Sequence, residues 1–490
     1  MIFWTFCRGG LRLKTQKQLR PFSIRDKLGY MFGDFGNDFT FILSTMILTK
    51  FYTDVMGVSA GVVGTIMMLA RCVDAVTDVT MGRIADHSKP TAAGKFKPWL
   101  VRMCVPVAFA SFLMYAPGLA GSWVAGWSNG VKITYLCITY LLWGSFCYTG
   151  INIPYGSMAS AVSADPGDRQ SLSTFRTMGG MLAGMVIGVG LPMIAYEKIT
   201  LDDGTIKETL IGSRVALAAA IFSVLAIVCY ILCYKLVTER IVPEAKADEE
   251  KGPSVLEMLK SAISNRALIS IIAASVVMLL AQLTMQNMAA YIYPDYYVNA
   301  TAQSASTMLM MVGMIGAAAI AKPLAAKFGK AEVSVVSNLF AGVVMIVIWL
   351  IKPANVWVYC GLQMIAWLGL GVFSMVAWAL ITDVIDYSEI KNGVREDGSV
   401  YALYSFARKL GQALAAGLSG WLLEGIGYNS KAAEQGLAQT DFVLDGIFNI
   451  STLLPALGFV LLALVLWFWY PLHKKQVDEN VAILKAKRGE

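Results

Sequence analysis

Histidine is almost missing from this chain: His87 and His473 are the only two in 490 residues, and both lie near the ends of apolar stretches. So small a supply argues against a histidine-based metal centre and against the nucleophile–base pairs of hydrolytic enzymes. The eight cysteines include no CxxC pair, and Cys104, Cys137, Cys147, Cys229 and Cys233 sit inside apolar runs. They read as small packing residues, with no disulfide framework or metal site among them. Charge is scarce as well. Only 15% of residues are Asp, Glu, Lys or Arg, against about 25% in a soluble domain. The net charge of +7 is spread over loops, with no clustered basic face, so nucleic acid is not an expected partner. Residues 1–27 hold seven Lys/Arg and one short apolar patch at 2–7. A cleavable signal has an apolar core of about 7–15 residues and a small-residue cleavage site. The segment is therefore expected to be a basic cytoplasmic tail.

What the chain does have is apolar length. Hydrophobic residues make up 57% and the mean hydropathy is +0.60. Long Ala/Leu/Val/Ile/Met runs recur, each near the roughly 20 residues that cross a hydrocarbon core. A transmembrane barrel is built from alternating segments of about 10 residues, and these runs do not alternate. The expectation is an all-α polytopic membrane protein. Twelve spans are predicted near 28–52, 59–86, 98–119, 131–163, 170–196, 212–237, 267–293, 301–325, 332–351, 355–386, 399–425 and 442–470.

Basic residues crowd the first tail, the 2–3 loop (Arg83, Lys89, Lys95, Lys97), the 6–7 loop (Lys235, Arg240, Lys246, Lys251, Lys260), the 8–9 loop (Lys322, Lys327, Lys330) and the last tail. The intervening loops hold few. The positive-inside rule then puts both termini in the cytoplasm, as an even span count requires. The longest charged interruption, 237–265, falls halfway and contains Pro243, the acidic run 248–250 and an amphipathic piece at 254–263. The expected organisation is a tail (1–27), a six-helix half (28–237), a middle loop (238–266), a second six-helix half (267–470) and a tail (471–490). A short echo supports a repeat: Ala92-Ala93-Gly94-Lys95-Phe96-Lys97 follows span 2, and Ala325-Ala326-Lys327-Phe328-Gly329-Lys330 follows span 8. Two such halves about an axis along the membrane normal place a solute site between them, near mid-bilayer.

A charge at the centre of a membrane helix costs roughly 2.5–3.5 kcal/mol on insertion scales, so it normally faces a polar cavity. Span 2 carries Arg71, Asp74 and Asp78. The two acids are one turn and ~40° apart, on one stripe with Arg71. Two carboxylates facing a cavity suit Na⁺ or a shared proton. The competing reading is a structural ion-pair ladder with Arg71. Span 1 repeats the spacing with Asp34 and Asp38. Asp38, near mid-bilayer and beside Asn37, suits sugar hydroxyls; for Asp34, tying helix ends together is as good a reading. Span 4 ends with Tyr148-Thr149-Gly150-Ile151-Asn152-Ile153-Pro154-Tyr155-Gly156. Pro154 frees a carbonyl one turn upstream, which with Thr149 and Asn152 makes an oxygen-rich patch or simply a packing kink. Arg176 in span 5 and Lys409 in span 11 have no acid in neighbouring turns, so their partners come from other helices. Arg408 points about 100° from Lys409. Tyr148, Tyr404, Phe406 and Trp378 can stack on sugar faces or merely pack.

At these residues the chain resembles the glycoside–pentoside–hexuronide:cation symporters, the melibiose-permease-like branch of the major facilitator superfamily. The matching pieces run in order along nearly the whole chain. They are the 33–38 segment, Phe51-Tyr52-Thr53-Asp54, Asp74-Ala75-Val76-Thr77-Asp78, Gly94-Lys95-Phe96-Lys97-Pro98-Trp99, the 152–156 segment, Asp383-Val384-Ile385-Asp386-Tyr387-Ser388-Glu389 and Arg408-Lys409-Leu410-Gly411-Gln412. The resemblance implies a major facilitator fold with a coupling-cation site of Asp74, Asp78 and Thr149. It implies likewise that Asp38, Tyr148, Arg176 and Lys409 belong to the sugar and coupling network. Two positions depart from melibiose permeases: Asn152 replaces an Asp shared by the two sites, and Gly156 replaces a sugar-stacking Trp. Both look more like the glucuronide and xyloside carriers. One carboxylate fewer weakens a Na⁺ site and favours H⁺.

The expected function is import of a glycoside coupled to H⁺ or, less favoured, Na⁺, with no other cofactor. The expected cation site is Asp74, Asp78, Thr149 and Asn152. The expected substrate site is Asp38, Asn37, Tyr148, Asn152, Arg176, Tyr404, Lys409 and Trp378. Arg71, Asp34, Gly94, Lys95, Lys97 and Arg408 are expected to gate or support. The expected setting is a bacterial inner membrane, with the chain working as a monomer. Rival readings are a carrier of another amphiphile or lipid, a channel, and an intramembrane enzyme.

Overall fold

A computed structural model of the protein describes residues 20–121, 124, 126–201, 204–241, 265–392 and 397–488. The acidic run and amphipathic piece of the middle loop, and most of the first tail, lie outside these residues.

Twelve long helices dominate the described residues: α1 (Ile24–Lys50), α2 (Ala60–His87), α3 (Lys97–Tyr115), α4 (Asn129–Val162), α5 (Pro166–Ala195), α6 (Gly212–Leu236), α7 (Arg266–Tyr291), α8 (Thr301–Phe328), α9 (Lys330–Ile351), α10 (Val356–Asn392), α11 (Asp397–Gly425) and α13 (Asp441–Leu464). Two short helices, α12 (Ser430–Glu434) and α14 (Lys474–Arg488), flank the last of them. Ten of the long helices are apolar enough to cross a membrane by length and composition alone. The other two, α1 and α11, carry Asp34 and Asp38, and Arg408 and Lys409. Large apolar side chains are exposed on the outer faces, among them Phe109, Ile138, Leu217, Ile315, Leu350 and Leu457. Such a belt fits a hydrocarbon surround.

Helix starts follow local chemistry. Asp165 caps α5 by accepting from the Asp168 N–H, with Pro166 in the first helical position. Asn265 caps α7 through the N–H groups of Ala267 and Leu268.

The halves repeat in packing. Within the first, α1 packs on α5 and α6, α3 on α4 and α6, and α2 on α4; in the second, α7 packs on α11 and α13, α9 on α10 and α13, and α8 on α10. Each pair has its counterpart six spans on. Between the halves the main contacts are α2 with α11 and α5 with α8, a symmetric exchange consistent with an axis along the membrane normal. At the α2–α11 crossing the backbones nearly touch: a Cβ on Gly420 would lie 2.4 Å from the Ala60 carbonyl oxygen. Small residues are what allow such an approach.

One side of the molecule carries the start of α1 and the end of α13; the opposite side carries a hairpin of β1 (Tyr196–Thr200) and β2 (Ile206–Leu210), paired antiparallel with Tyr196 opposite Leu210. An isolated two-stranded hairpin is marginal in water. This one is fastened to the other half: the Tyr196 hydroxyl donates to the Ala290 carbonyl at 3.3 Å, Lys207 Nζ to the Leu437 carbonyl at 2.6 Å, and the Glu208 carboxylate accepts from the Ala300 N–H. Burial of Glu208 pushes its carboxyl above the usual range.

Further bonds between the halves gather on this hairpin side. Lys50 lies 2.8 Å from Asp54 and 2.5 Å from Asp295, and the Tyr428 hydroxyl donates to Asp54 at 2.7 Å. Glu424 accepts from Ser59 and from the Gly61 N–H, Lys132 meets Glu434 at 2.6 Å, and Ser304 donates to the Val189 carbonyl. The sequence reading contained no such seam.

Candidate solute and cation site

Below that seam, midway along α2, a cavity of about 190 Å³ is lined by Phe41, Arg71, Asp74, Ala75, Asp78, Gly144, Tyr148, Thr149, Asn152, Lys409 and Gln412. Four helices supply them: α1, α2, α4 and α11.

The spacing of Asp74 and Asp78 brings both carboxylates to α4. The Ser145 hydroxyl donates to Asp74 Oδ1 at 2.6 Å and the Thr149 hydroxyl to Asp78 Oδ1 at 2.9 Å. These donors stand four residues apart, as do the acids, so the two helices meet rung on rung. Arg71 Nη1 is 3.6 Å from Asp74 Oδ2, and its guanidinium lies over the Phe41 ring at 4.9 Å. Lys409 reaches across from the other half to Asp78 Oδ2 at 2.7 Å.

Helix α4 is irregular where the site needs it. The turn at Leu142–Tyr148 is widened into a π-helix, and Thr149 also donates to the Gly144 carbonyl at 3.2 Å. This widened turn lies upstream of Pro154, which sits inside the same helix, and it adds to the irregularity expected there; π-turns of this kind recur at functional sites.

The span 1 acids make a second cluster beside the first. Asp34 Oδ1 accepts from Arg176 Nε at 2.9 Å, and the guanidinium stacks over Tyr155 at 5.3 Å. Asp38 borders α5: a Cβ on Gly180 would come within 2.5 Å of Asp38 Oδ2 and 3.3 Å of Asp34 Oδ2. Asn37 accepts from the Tyr230 hydroxyl at 2.9 Å and donates to Asn152 Oδ1 at 3.3 Å. Asn152 is thus tied to α1, while its ring-bearing neighbour Tyr148 stacks on Phe41 and Trp143.

The expectation that Arg176 and Lys409 find acids on other helices matches this geometry, with Asp34 and Asp78 as the partners. Other expected residues lie elsewhere. Tyr404 is fully buried and its hydroxyl accepts from Ser275 on α7. Its ring meets Trp378 edge-on at 5.1 Å, and Arg408 lies over both rings. Tyr404, Trp378 and Arg408 form a stack within the second half and do not line the cavity; aromatic residues of membrane helices serve packing as readily as binding.

The loop residues Gly94, Lys95 and Lys97 were expected to gate or support. The N–H groups of Lys95, Phe96 and Lys97 all donate to the Glu239 carboxylate, at 2.6, 3.0 and 2.6 Å. Burial raises the Glu239 carboxyl above the usual range, and those three donors pull it partway back. Gly94 has φ +123° and no room for a Cβ beside Glu239. The echo loop is built alike: Gly329 has φ +102°, Glu332 accepts from the Lys474 N–H at 2.8 Å, and Lys474 Nζ donates to the Lys327 carbonyl. Each loop is fastened within its own half, so neither bridges a gate in this conformation. Sequence reasoning missed Glu239 and Glu332, since a lone Glu after an apolar run looks like a solvated charge.

Comparison with known proteins agrees with this architecture. A family model for MFS/sugar transport proteins matches residues 29–474. The chain belongs to that family. It is a membrane transporter and not an enzyme. It is 30% identical to a glucuronide carrier protein homolog of Escherichia coli over 473 residues, covering 95% of this chain and 96% of that protein. An uncharacterized symporter of Bacillus subtilis is 30% identical over 478 residues, covering 97% of each. An isoprimeverose transporter of Lactiplantibacillus pentosus is 28% identical over 456, covering 92% and 89%. Among solved structures, a D-xylose–proton symporter superposes with TM-score 0.56 at 15% identity, covering 91% of this chain and 97% of that one. At that identity the likeness concerns the fold.

Proposed function

We propose that this family member is a cation-coupled symporter that carries a glycoside into the bacterial cell by alternating access, acting as a monomer in the inner membrane with both termini in the cytoplasm. The observation that carries the reading is the paired carboxylates Asp74 and Asp78 at mid-span, each bonded to a hydroxyl of α4 and facing a cavity between the halves. Buried acids so placed are apt to take up a cation and pass it on. The glucuronide and isoprimeverose relatives support a glycoside as the solute.

Asn152 is held by Asn37 and adds no third carboxylate to the pair, which favours H⁺ over Na⁺ as the coupling ion. With the hairpin side sealed, the conformation corresponds to a carrier open towards the side of its termini. By the positive-inside rule that side is the cytoplasm. Loading neutralises the pair and lets the halves rock to the alternate opening. A monovalent cation falling through 100 mV supplies about 2.3 kcal/mol, enough for roughly fifty-fold accumulation.

Membrane vesicles with imposed H⁺ or Na⁺ gradients test this, using radiolabelled methyl glucuronide and methyl xyloside. The wild type accumulates at least one of them under one gradient; Asp74→Asn and Asp78→Asn do not. Accumulation that persists in both variants sinks the assigned cation site.

A further inference from the structure

Both oxygens of Asp78 are engaged, one by Thr149 and the other by Lys409. Asp74 is likewise met by Ser145 and Arg71. In this conformation, then, neither carboxylate of the pair is bare. The ammonium of Lys409 stands 2.7 Å from the oxygen that a coupling ion on Asp78 would meet. It arrives from the opposite half on a long flexible stem that is half exposed to the cavity. The charged groups that line the cavity with Asp78 are Arg71 and Asp74 from its own helix and Lys409 from α11; α4 presents the uncharged Gly144, Tyr148, Thr149 and Asn152.

We propose that Lys409 is the built-in counter-cation of the empty carrier. Its ammonium occupies the Asp78 position when the coupling ion is absent and is displaced when that ion binds. The inference rests on the cation-coupled reading above and gives Lys409 a different task from the sugar ligand expected of it.

The physical need is plain. A symporter must reorient empty as well as loaded, and an unpaired carboxylate at mid-bilayer hinders that step. An ammonium of fixed tether neutralises Asp78 without leaving the protein. When H⁺ or Na⁺ arrives, it competes for one oxygen; the stem swings out and the cross-half bond opens. Loading thereby loosens the one ion pair that joins the halves inside the cavity. With H⁺ the Asp78 carboxylate gains an O–H bond and with Na⁺ an ionic contact; no bond between heavy atoms is made or broken.

Competition has a sign that other roles lack. Removing the competitor must make the coupling ion bind more tightly. Purified full-length protein is heated in choline chloride at alkaline pH, and its melting temperature is followed against added NaCl and, separately, against falling pH. In Lys409→Gln the midpoint of the cation response moves at least tenfold towards lower Na⁺ or H⁺ concentration. Lys409→Arg, which keeps the charge, stays within threefold of wild type, and Asp78→Asn shows no response. An unchanged midpoint in Lys409→Gln, or a shift to weaker binding, overturns the proposal.

Should Lys409→Gln fail to fold, the double variant Asp78→Asn/Lys409→Gln must fold, because the stranded carboxylate would be the cause; failure of both variants also overturns it. If wild type shows no response to either ion and no gradient-driven uptake, the symport reading itself has failed. A wild-type response with an unmoved Lys409→Gln midpoint refutes only the counter-cation.

Discussion

Helices α1 and α7 hold equivalent places in the two halves and could hardly be used more differently. Helix α1 carries Asp26, Asp34, Asp38 and Lys50, and its partner α5 supplies Arg176. Helix α7 has one charged residue, Arg266 at its start, and its buried polar groups include Ser270, Ser275 and Thr284. The same contrast separates α2, with Arg71, Asp74 and Asp78, from α8, whose charges are Lys322 and Lys327 near its end. One repeat builds the frame twice; the cavity's two carboxylates are placed in one copy. The difference teaches that the packing repeat and the coupling chemistry are separable. The second half reaches the site through Lys409 and Gln412 and otherwise serves as the wall against which the first half closes.

Three substitutions break or sharpen that comparison. The largest effect is expected at the seam, where a first-half cation serves a second-half acid. Lys50→Met strands Asp54 and Asp295, both buried, and breaking such a pair typically costs about 3–5 kcal/mol. Chemical denaturation of purified protein measures it. A loss below about 1 kcal/mol, the scale of an exposed pair, would show that the seam is not held there.

Next comes Arg176→Gln, which leaves Asp34 without its guanidinium. Arg176 is partly exposed, so the expected cost is about 1–3 kcal/mol, with vesicle uptake falling roughly tenfold or more, equivalent to ~1.4 kcal/mol. Adding Asp34→Asn recovers part of the stability; no recovery would mean that the pair is incidental. The smallest effect belongs to the second copy. Tyr404→Phe removes one buried hydrogen bond from Ser275, about 1 kcal/mol, and leaves initial uptake rates within roughly twofold, less than 0.5 kcal/mol. A tenfold loss of uptake would return Tyr404 to the substrate site and erase the asymmetry.

Twelve long helices, a six-plus-six division and a pair of acids on one face of span 2 were legible from hydropathy and loop charge, because lipid makes every intramembrane charge conspicuous and helical periodicity puts Asp74 with Asp78. The echo after spans 2 and 8 was real in structure: both loops hold a glycine at positive φ packed against a glutamate. Other features needed three dimensions. Nothing in the chain's order says that Arg176 meets Asp34, 142 residues away, or that Lys409 meets Asp78, 331 residues away. The widened turn of α4 and the stack of Tyr404, Trp378 and Arg408 follow from packing against neighbours that local sequence does not name. The hairpin strap is quieter still, since its grip depends on Ala290, Ala300 and Leu437, whose backbone groups carry no sequence signature.

Composition and periodicity by themselves determined that this is a helical membrane carrier with acids in its first half, since insertion in lipid tests each residue singly and locally. Tertiary structure alone decided which charges neutralise which, and on which side the halves are shut. Those depend on contacts between helices distant in the chain, and the same residues can pair differently as the halves move.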